Sequence, residues 1–242
     1  MTPWVIRSPS QFRPAGPPPL TSTRYAADFN EVKALGSIGS QLRTPDQTLL
    51  AQFWQSTTPS YIFNHAALTL AAERDLTFSD KARLLGLLNT AMADADIACW
   101  DAKYHYVFWR PVTAIALADT DGNPLTISEA GWTPLLVTPN IPDYPSGHTS
   151  LSGAAGTVLA TWFGARSSVN LVSDAPAMLG VVRSFRNLPR MMNEVVDARI
   201  FGGIHYRTAD VDGQATGVAV ARYVIDHAFL SAHENRARDT TR

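Results

Sequence analysis

The sequence has 242 residues, a formal net charge of −1, 45% hydrophobic and 17% charged residues, and a single cysteine, Cys99. A chain of this length can bury a sizeable core as one large domain or two small ones. Its charge offers no electrostatic handle for nucleic acid or an anionic membrane. One cysteine excludes an intramolecular disulfide framework and any multi-cysteine zinc site, and no apolar run reaches the roughly 18 residues of a membrane span.

The N-terminus, Met1-Thr-Pro-Trp, lacks the charged and apolar regions of a signal peptide. Residues 8–20, rich in proline, read as an extended arm. The expected division is a Pro-rich arm over 1–22, a helical domain over 23–232 and a polar tail over 233–242. Such a start suggests the C-terminal part of a longer precursor, which could then be secreted or periplasmic.

After the arm, Tyr25, Phe29, Val32 and Leu35 recur at helical spacing, and Gly36 is a stop. Thr44-Pro45-Asp46-Gln47 has the form of a capping box opening a second helix. A third helix is expected over 60–75. The fourth and longest starts with Ser79 as cap and runs to about Trp109. A helix-compatible stretch follows Pro111, and a Gly/Pro-rich loop covers 119–140. Further helices are expected over 148–163, 175–187, 189–201 and 208–230. Strand-like alternation is nearly absent, so the expected class is an all-α multi-helix bundle.

Three segments carry charged and hydrogen-bonding groups in a setting that points to chemistry. In Lys103-Tyr-His-Tyr-Val-Phe-Trp-Arg110-Pro111 the two cations are seven residues apart, so on one helix they would share a face. Their aromatic neighbours imply burial, where unpaired charges are costly and call for an anion. Pro145-Ser146-Gly147-His148 precedes a helix-like run, so free backbone N–H groups, the Ser146 hydroxyl and the titratable His148 make a plausible oxyanion cradle. In the third segment Gly202-Gly203 separates Arg199 from His205 and suits a close approach of backbone to a ligand or a packing partner.

As a set, these segments resemble the superfamily of vanadium-dependent haloperoxidases, bacterial non-specific acid phosphatases and type-2 phosphatidic acid phosphatases, over about Trp100 to Asp210. The resemblance implies a helical fold of the vanadium haloperoxidase/acid phosphatase type. It implies that Lys103, Arg110 and Arg199 balance the oxygens of a vanadate cofactor or a phosphate, and that Ser146 and Gly147 hydrogen-bond them. His205 would be the vanadium ligand, or the nucleophile of a phosphatase, and His148 the acid–base partner. One preorganised set of donors can serve both reactions.

The runs Phe108-Trp109-Arg110-Pro111 and Arg199-Ile-Phe-Gly-Gly-Ile-His205-Tyr-Arg are closer to vanadium chloroperoxidases than to acid phosphatases. Trp100 matches a tryptophan on the halide side of those sites, or is an ordinary core residue. Ile141 stands where chloroperoxidases carry phenylalanine, which favours bromide over chloride. Asp210 follows His205 by five residues rather than four, a shift of about 100° on a helix that leaves a direct orienting contact open. The expected activity is halide oxidation with hydrogen peroxide at a His205-bound vanadate and transfer to a small organic acceptor. The alternative is hydrolysis of a phosphate monoester through a phosphohistidine. A homodimer is expected by resemblance alone. His65, His105, His227 and His233 have no partner pattern, Met191-Met192 reads as core, and Cys99 as a small buried residue.

Overall fold

The structure, a computed structural model, describes residues 1–230. The expected tail over 233–242, with His233, lies outside the described residues. In chain order the helices are α1 (Thr23–Gly36), α2 (Pro45–Gln55), α3 (Pro59–Glu73), α4 (Phe78–Tyr106), α5 (Pro111–Ala116), α6 (Gly147–Phe163), α7 (Leu188–Phe201) and α8 (Arg207–His227). Between α6 and α7, strands β1 (Val169–Val172) and β2 (Val182–Phe185) pair antiparallel, Val169 opposite Phe185 and Val172 opposite Val182. The protein is a mainly helical bundle carrying one short hairpin.

That hairpin corrects the helix expected over 175–187. Only a single 3-10 turn forms, at Pro176–Met178, and Gly180 then turns the chain at φ 77°. The returning strand places Phe185 on Trp54, ring centroids 6.3 Å apart.

The capping box of α2 is present, with Thr44 and Gln47 satisfying each other's backbone N–H groups. α4 departs from expectation at both ends. Its cap is Thr77, which accepts from the Asp80 N–H at 3.2 Å, not Ser79. It stops at Tyr106 because Val107 adopts the left-handed conformation, φ 48°, and closes the last turn on the Lys103 carbonyl at 2.9 Å. Lys103 and Arg110 therefore do not share a helix face. Arg110 is the N-cap residue of α5, and the chain reversal brings the two together.

The main core lies among α2, α3, α4, α6, α7 and α8, with Trp54, Phe63, Leu88, Leu159, Val195 and Val220 fully or almost fully buried. A smaller cluster under α1 joins Tyr25, Phe29, Trp132, Tyr144 and Tyr206. Helices α6 and α8 approach so closely that a Cβ on Gly217 would come within 1.9 Å of the Ser150 carbonyl oxygen, and one on Gly213 within 2.6 Å of the Ser146 carbonyl oxygen. Glycine is required at both places. This contact sets the start of α6 against the start of α8.

The N-terminal segment lies along α4. The carboxylate of Asp94, fully buried on that helix, accepts from the backbone N–H groups of Trp4, Val5 and Ile6 at 2.7–2.9 Å, and Arg13 pairs with Asp101 at 2.6 Å. Two hydrogen bonds fix the loop after α5, from Leu135 N–H to the Gly36 carbonyl and from Leu136 N–H to the Gly202 carbonyl, each 2.9 Å. Gly203, at φ 76°, abuts the Gly36 carbonyl. The glycine pair thus serves helix packing.

Candidate active site

A cavity of about 710 Å³ opens between α3, α4, α6 and the loop after α5. Its lining includes Trp100, Lys103, Arg110, Ile141, Gly147, His148, Arg199 and His205. Residues separated by more than a hundred positions therefore meet in one place: Lys103 from α4, Arg110 from the α4–α5 reversal, Gly147 and His148 from the first turn of α6, Arg199 from the last turn of α7, and His205 from the α7–α8 connection.

Each cation is buried; backbone carbonyls hold Lys103 and Arg110, and a side-chain amide holds Arg199. Lys103 Nζ donates to the Pro142 and Asp143 carbonyls at 2.7 and 2.9 Å. Arg110 donates to the Ile141 and Ile204 carbonyls at 2.8 and 2.7 Å, and Arg199 to the side-chain oxygen of Gln55 at 2.9 Å. These hydrogen bonds go to neutral acceptors, while the carboxyl groups of Asp143 and Asp210 act on the cations from further away. Burial lowers Lys103 to about 8 and Arg199 to about 10, and lowers Arg110. Burial, and then the neighbouring cations, push both His148 and His205 well below the usual histidine range; for His148 the Trp54 carbonyl works the other way, ahead of Arg110 and Lys103. Both imidazoles are neutral at pH 7.

Ser146 occupies the N-cap position of α6, yet its side chain caps nothing. Its buried Oγ has no well-formed hydrogen bond and faces the Asp210 carboxylate, whose pKa it lowers. The helix start thus leaves backbone N–H groups available, and a hydroxyl stands beside them. Ser146 is itself positioned by its N–H bond to the Ala209 carbonyl at 2.9 Å. Arg199 Nε also lacks a partner among the described residues. Three buried cations, free helix-start donors and two neutral histidines are the donor set that a tetrahedral or bipyramidal oxyanion such as vanadate fits.

Asp143 is the residue that motif spacing does not reveal. It is completely buried, and its Oδ1 stands 2.9 Å from His205 Nδ1 and 3.8 Å from Arg110 Nη1. The approach to the imidazole is oblique, since neither carboxylate oxygen has a well-aligned donor. Burial raises Asp143 to about 7 against the opposing pull of Arg110 and Lys103. Asp210, also fully buried and with its pKa held well up by burial, neighbours Ser146 and Arg199 rather than His205. The other histidines among the described residues stay apart from the cavity: His65 stacks on Tyr61 and His227 on Tyr223, while His105 is exposed beside Tyr106. Met191 is core, and Cys99 is buried with its thiol on the Pro145 carbonyl at 3.5 Å.

Residues 83–233 match the family model described as VCPO second helical-bundle domain. The vanadium chloroperoxidase of Curvularia inaequalis is 26% identical over 230 residues, a match covering 71% of this chain and 37% of that protein. A bacterial vanadium-dependent iodoperoxidase superposes with a TM-score of 0.81 at 30% identity, over 95% of this chain and 56% of that one. A holo-type bacterial vanadium-dependent chloroperoxidase, 19% identical, shares the fold with a TM-score of 0.73 over 96% of this chain and 54% of that one. The chain thus spans little more than half the length of these structures and about a third of the fungal protein. With more than half of its length matched to the second helical bundle, the chain belongs to the vanadium-dependent haloperoxidase family.

Proposed function

We propose that the protein oxidises a halide with hydrogen peroxide at a vanadate held on His205, with bromide used in preference to chloride. The observation that carries this reading is the convergence of Lys103, Arg110 and Arg199, whose hydrogen bonds go to neutral acceptors, on a cavity floor that also holds two neutral histidines. Lys103, Arg110, Arg199, Ser146 and the Gly147 N–H would hold vanadate, with His205 Nε2 as its protein ligand. Held by these residues, vanadate would supply Lewis acidity for peroxide chemistry.

The chain's own groups have separate tasks. The neutral His148 imidazole accepts a proton from incoming peroxide and can return it to the departing oxygen. Lys103, anchored by two carbonyls, polarises the oxygen that faces the halide. Trp100 and Ile141 form the wall on the halide's side. The absence of phenylalanine at 141 supports the preference for bromide.

A phosphatase reading draws support from one feature, the carboxylate of Asp143 beside His205, since a nucleophilic imidazole gains from such a neighbour. The deciding experiment is bromination of a diketone by the protein with peroxide and bromide, with and without vanadate. Vanadate-dependent bromination that phosphate suppresses is expected. Hydrolysis of an aryl phosphate that vanadate blocks, with no bromination, would replace the reading by the phosphatase.

A further inference from the structure

The cavity is much larger than its floor requires. An oxyanion, a peroxide and a halide are each comparable to one or a few water volumes, together on the order of 150 Å³, against about 710 Å³ available. The surplus lies along α4, which lines the cavity with Asn89, Met92, Ala93, Asp96, Trp100 and Lys103. These positions lie at i, i+3, i+4, i+7, i+11 and i+14 and form one stripe. At the helical rise, Trp100 is about 4–5 Å and Asp96 about 10 Å along the axis from Lys103.

Asp96 is the cavity's one lining carboxylate among the described residues. It forms no ion pair within them; the Trp100 indole N–H donates to its carboxylate, and Lys103 acts on it only through its field. A half-buried carboxylate at this depth is a receptor for a cation, and Trp100 with Met92 and Leu151 beside it offers an aromatic and apolar wall.

We propose that this cavity binds an aromatic acceptor bearing a primary ammonium group, with the ammonium on Asp96 and the ring against Trp100. Resting on the haloperoxidase reading, the proposal names that enzyme's organic substrate. The electrostatics allow only one orientation. Lys103, Arg110 and Arg199 repel the ammonium while Asp96 attracts it, so the ring's far edge points to the floor. Hypohalous acid formed there from peroxide and halide meets that edge. Its oxygen–halogen bond breaks as the ring carbon–halogen bond forms, and the displaced ring proton leaves with the hydroxide as water.

The test uses tyramine and neutral 4-ethylphenol, both as a bromination competition in one vessel and as separate binding titrations on vanadate-loaded protein. Relative to reagent hypobromite, the enzyme should favour tyramine roughly tenfold, the worth of one partly buried charge pair. Asp96→Asn should erase that preference and the tyramine binding, and Asp96→Glu should retain both. A product ratio equal to that of reagent hypobromite, or tyramine binding unchanged in Asp96→Asn, would overturn the site. Absence of any bromination with tyramine binding intact and dependent on Asp96 would instead sink the haloperoxidase reading and leave the site standing.

Discussion

Asp143 Oδ1 and His205 Nδ1 are 2.9 Å apart, and the opposite ring nitrogen, Nε2, is 2.9 Å from Arg110 Nη1. A guanidinium can only donate, so the Nε2 lone pair faces Arg110 and the proton of the neutral ring is on Nδ1, towards the carboxylate. The Arg110 contact therefore selects the tautomer, and the Nδ1 proton lies obliquely beside the Asp143 carboxyl group. Replacing Asp143 by Ala should weaken vanadate binding by roughly ten- to a hundredfold, in the range of outer-shell partners of metal-ligating histidines. Asp143→Asn, which can still accept from Nδ1, should lose less. Because burial opposes the Asp143 charge, Asp143→Asn should unfold at no lower temperature than the parent; calorimetry reads both affinity and Tm.

The cationic floor predicts a large loss when two of its members go. Lys103→Ala combined with Arg199→Ala should reduce vanadate and phosphate affinity by on the order of a hundredfold or more, each lost charge-assisted contact being worth about tenfold or more. Unchanged affinity in the double variant would remove the oxyanion site altogether.

Lys103 also sets a pH limit. Its pKa in the anion-free protein is lowered to about 8 by burial, and the protonated form is the one that attracts an anion. Well below that pH its contribution is complete. As pH rises through about 8 the charge is lost, and affinity should fall by up to about tenfold per unit. Tungstate, whose own charge is constant in this range, is the suitable probe. The break should vanish in Lys103→Met.

Ile141 can be altered without disturbing the anion cage, because it is the Ile141 backbone carbonyl that holds Arg110. Ile141→Phe brings an aromatic edge, which is electropositive, to the cavity wall. The chloride-to-bromide ratio of kcat/KM should rise several-fold, measured with both halides at saturating peroxide.

At the α6–α8 contact, Gly217→Ala would force a methyl group into the Ser150 carbonyl. Overpacking of this kind costs about 1–3 kcal/mol, so thermal unfolding should move down by roughly 2–12 °C for a chain of this size. Phosphate affinity should drop with it, because the same contact positions Ser146.

What could be read from the chain follows from how local each feature is. The Thr44–Gln47 box lies within a single turn, and its residues carry the whole signal. Lys103, Arg110, Gly147, His148, Arg199 and His205 were legible as a set and do meet in one cavity, although spacing alone misassigned Lys103 and Arg110 to one helix face. Nothing local announces that Val107, a β-branched residue, takes a left-handed conformation. The hairpin was missed because each strand has only four residues, too few for a period-two pattern to stand out from a helical one. Asp143 was invisible for a different reason. Its partner is His205, and only the fold makes those two neighbours.

The contact between Arg110 and His205 has a kinetic consequence. The His205 Nε2 lone pair, which the proposed function assigns to the oxyanion, is already engaged by Arg110 Nη1, and Arg110 is tethered in turn to the Ile141 and Ile204 carbonyls. On the proposed reading, with His205 Nε2 as the vanadate ligand, loading would be an exchange of one partner for another rather than the filling of a free position. Its observed rate should climb with oxyanion concentration and then reach a ceiling set by how fast the guanidinium lets go.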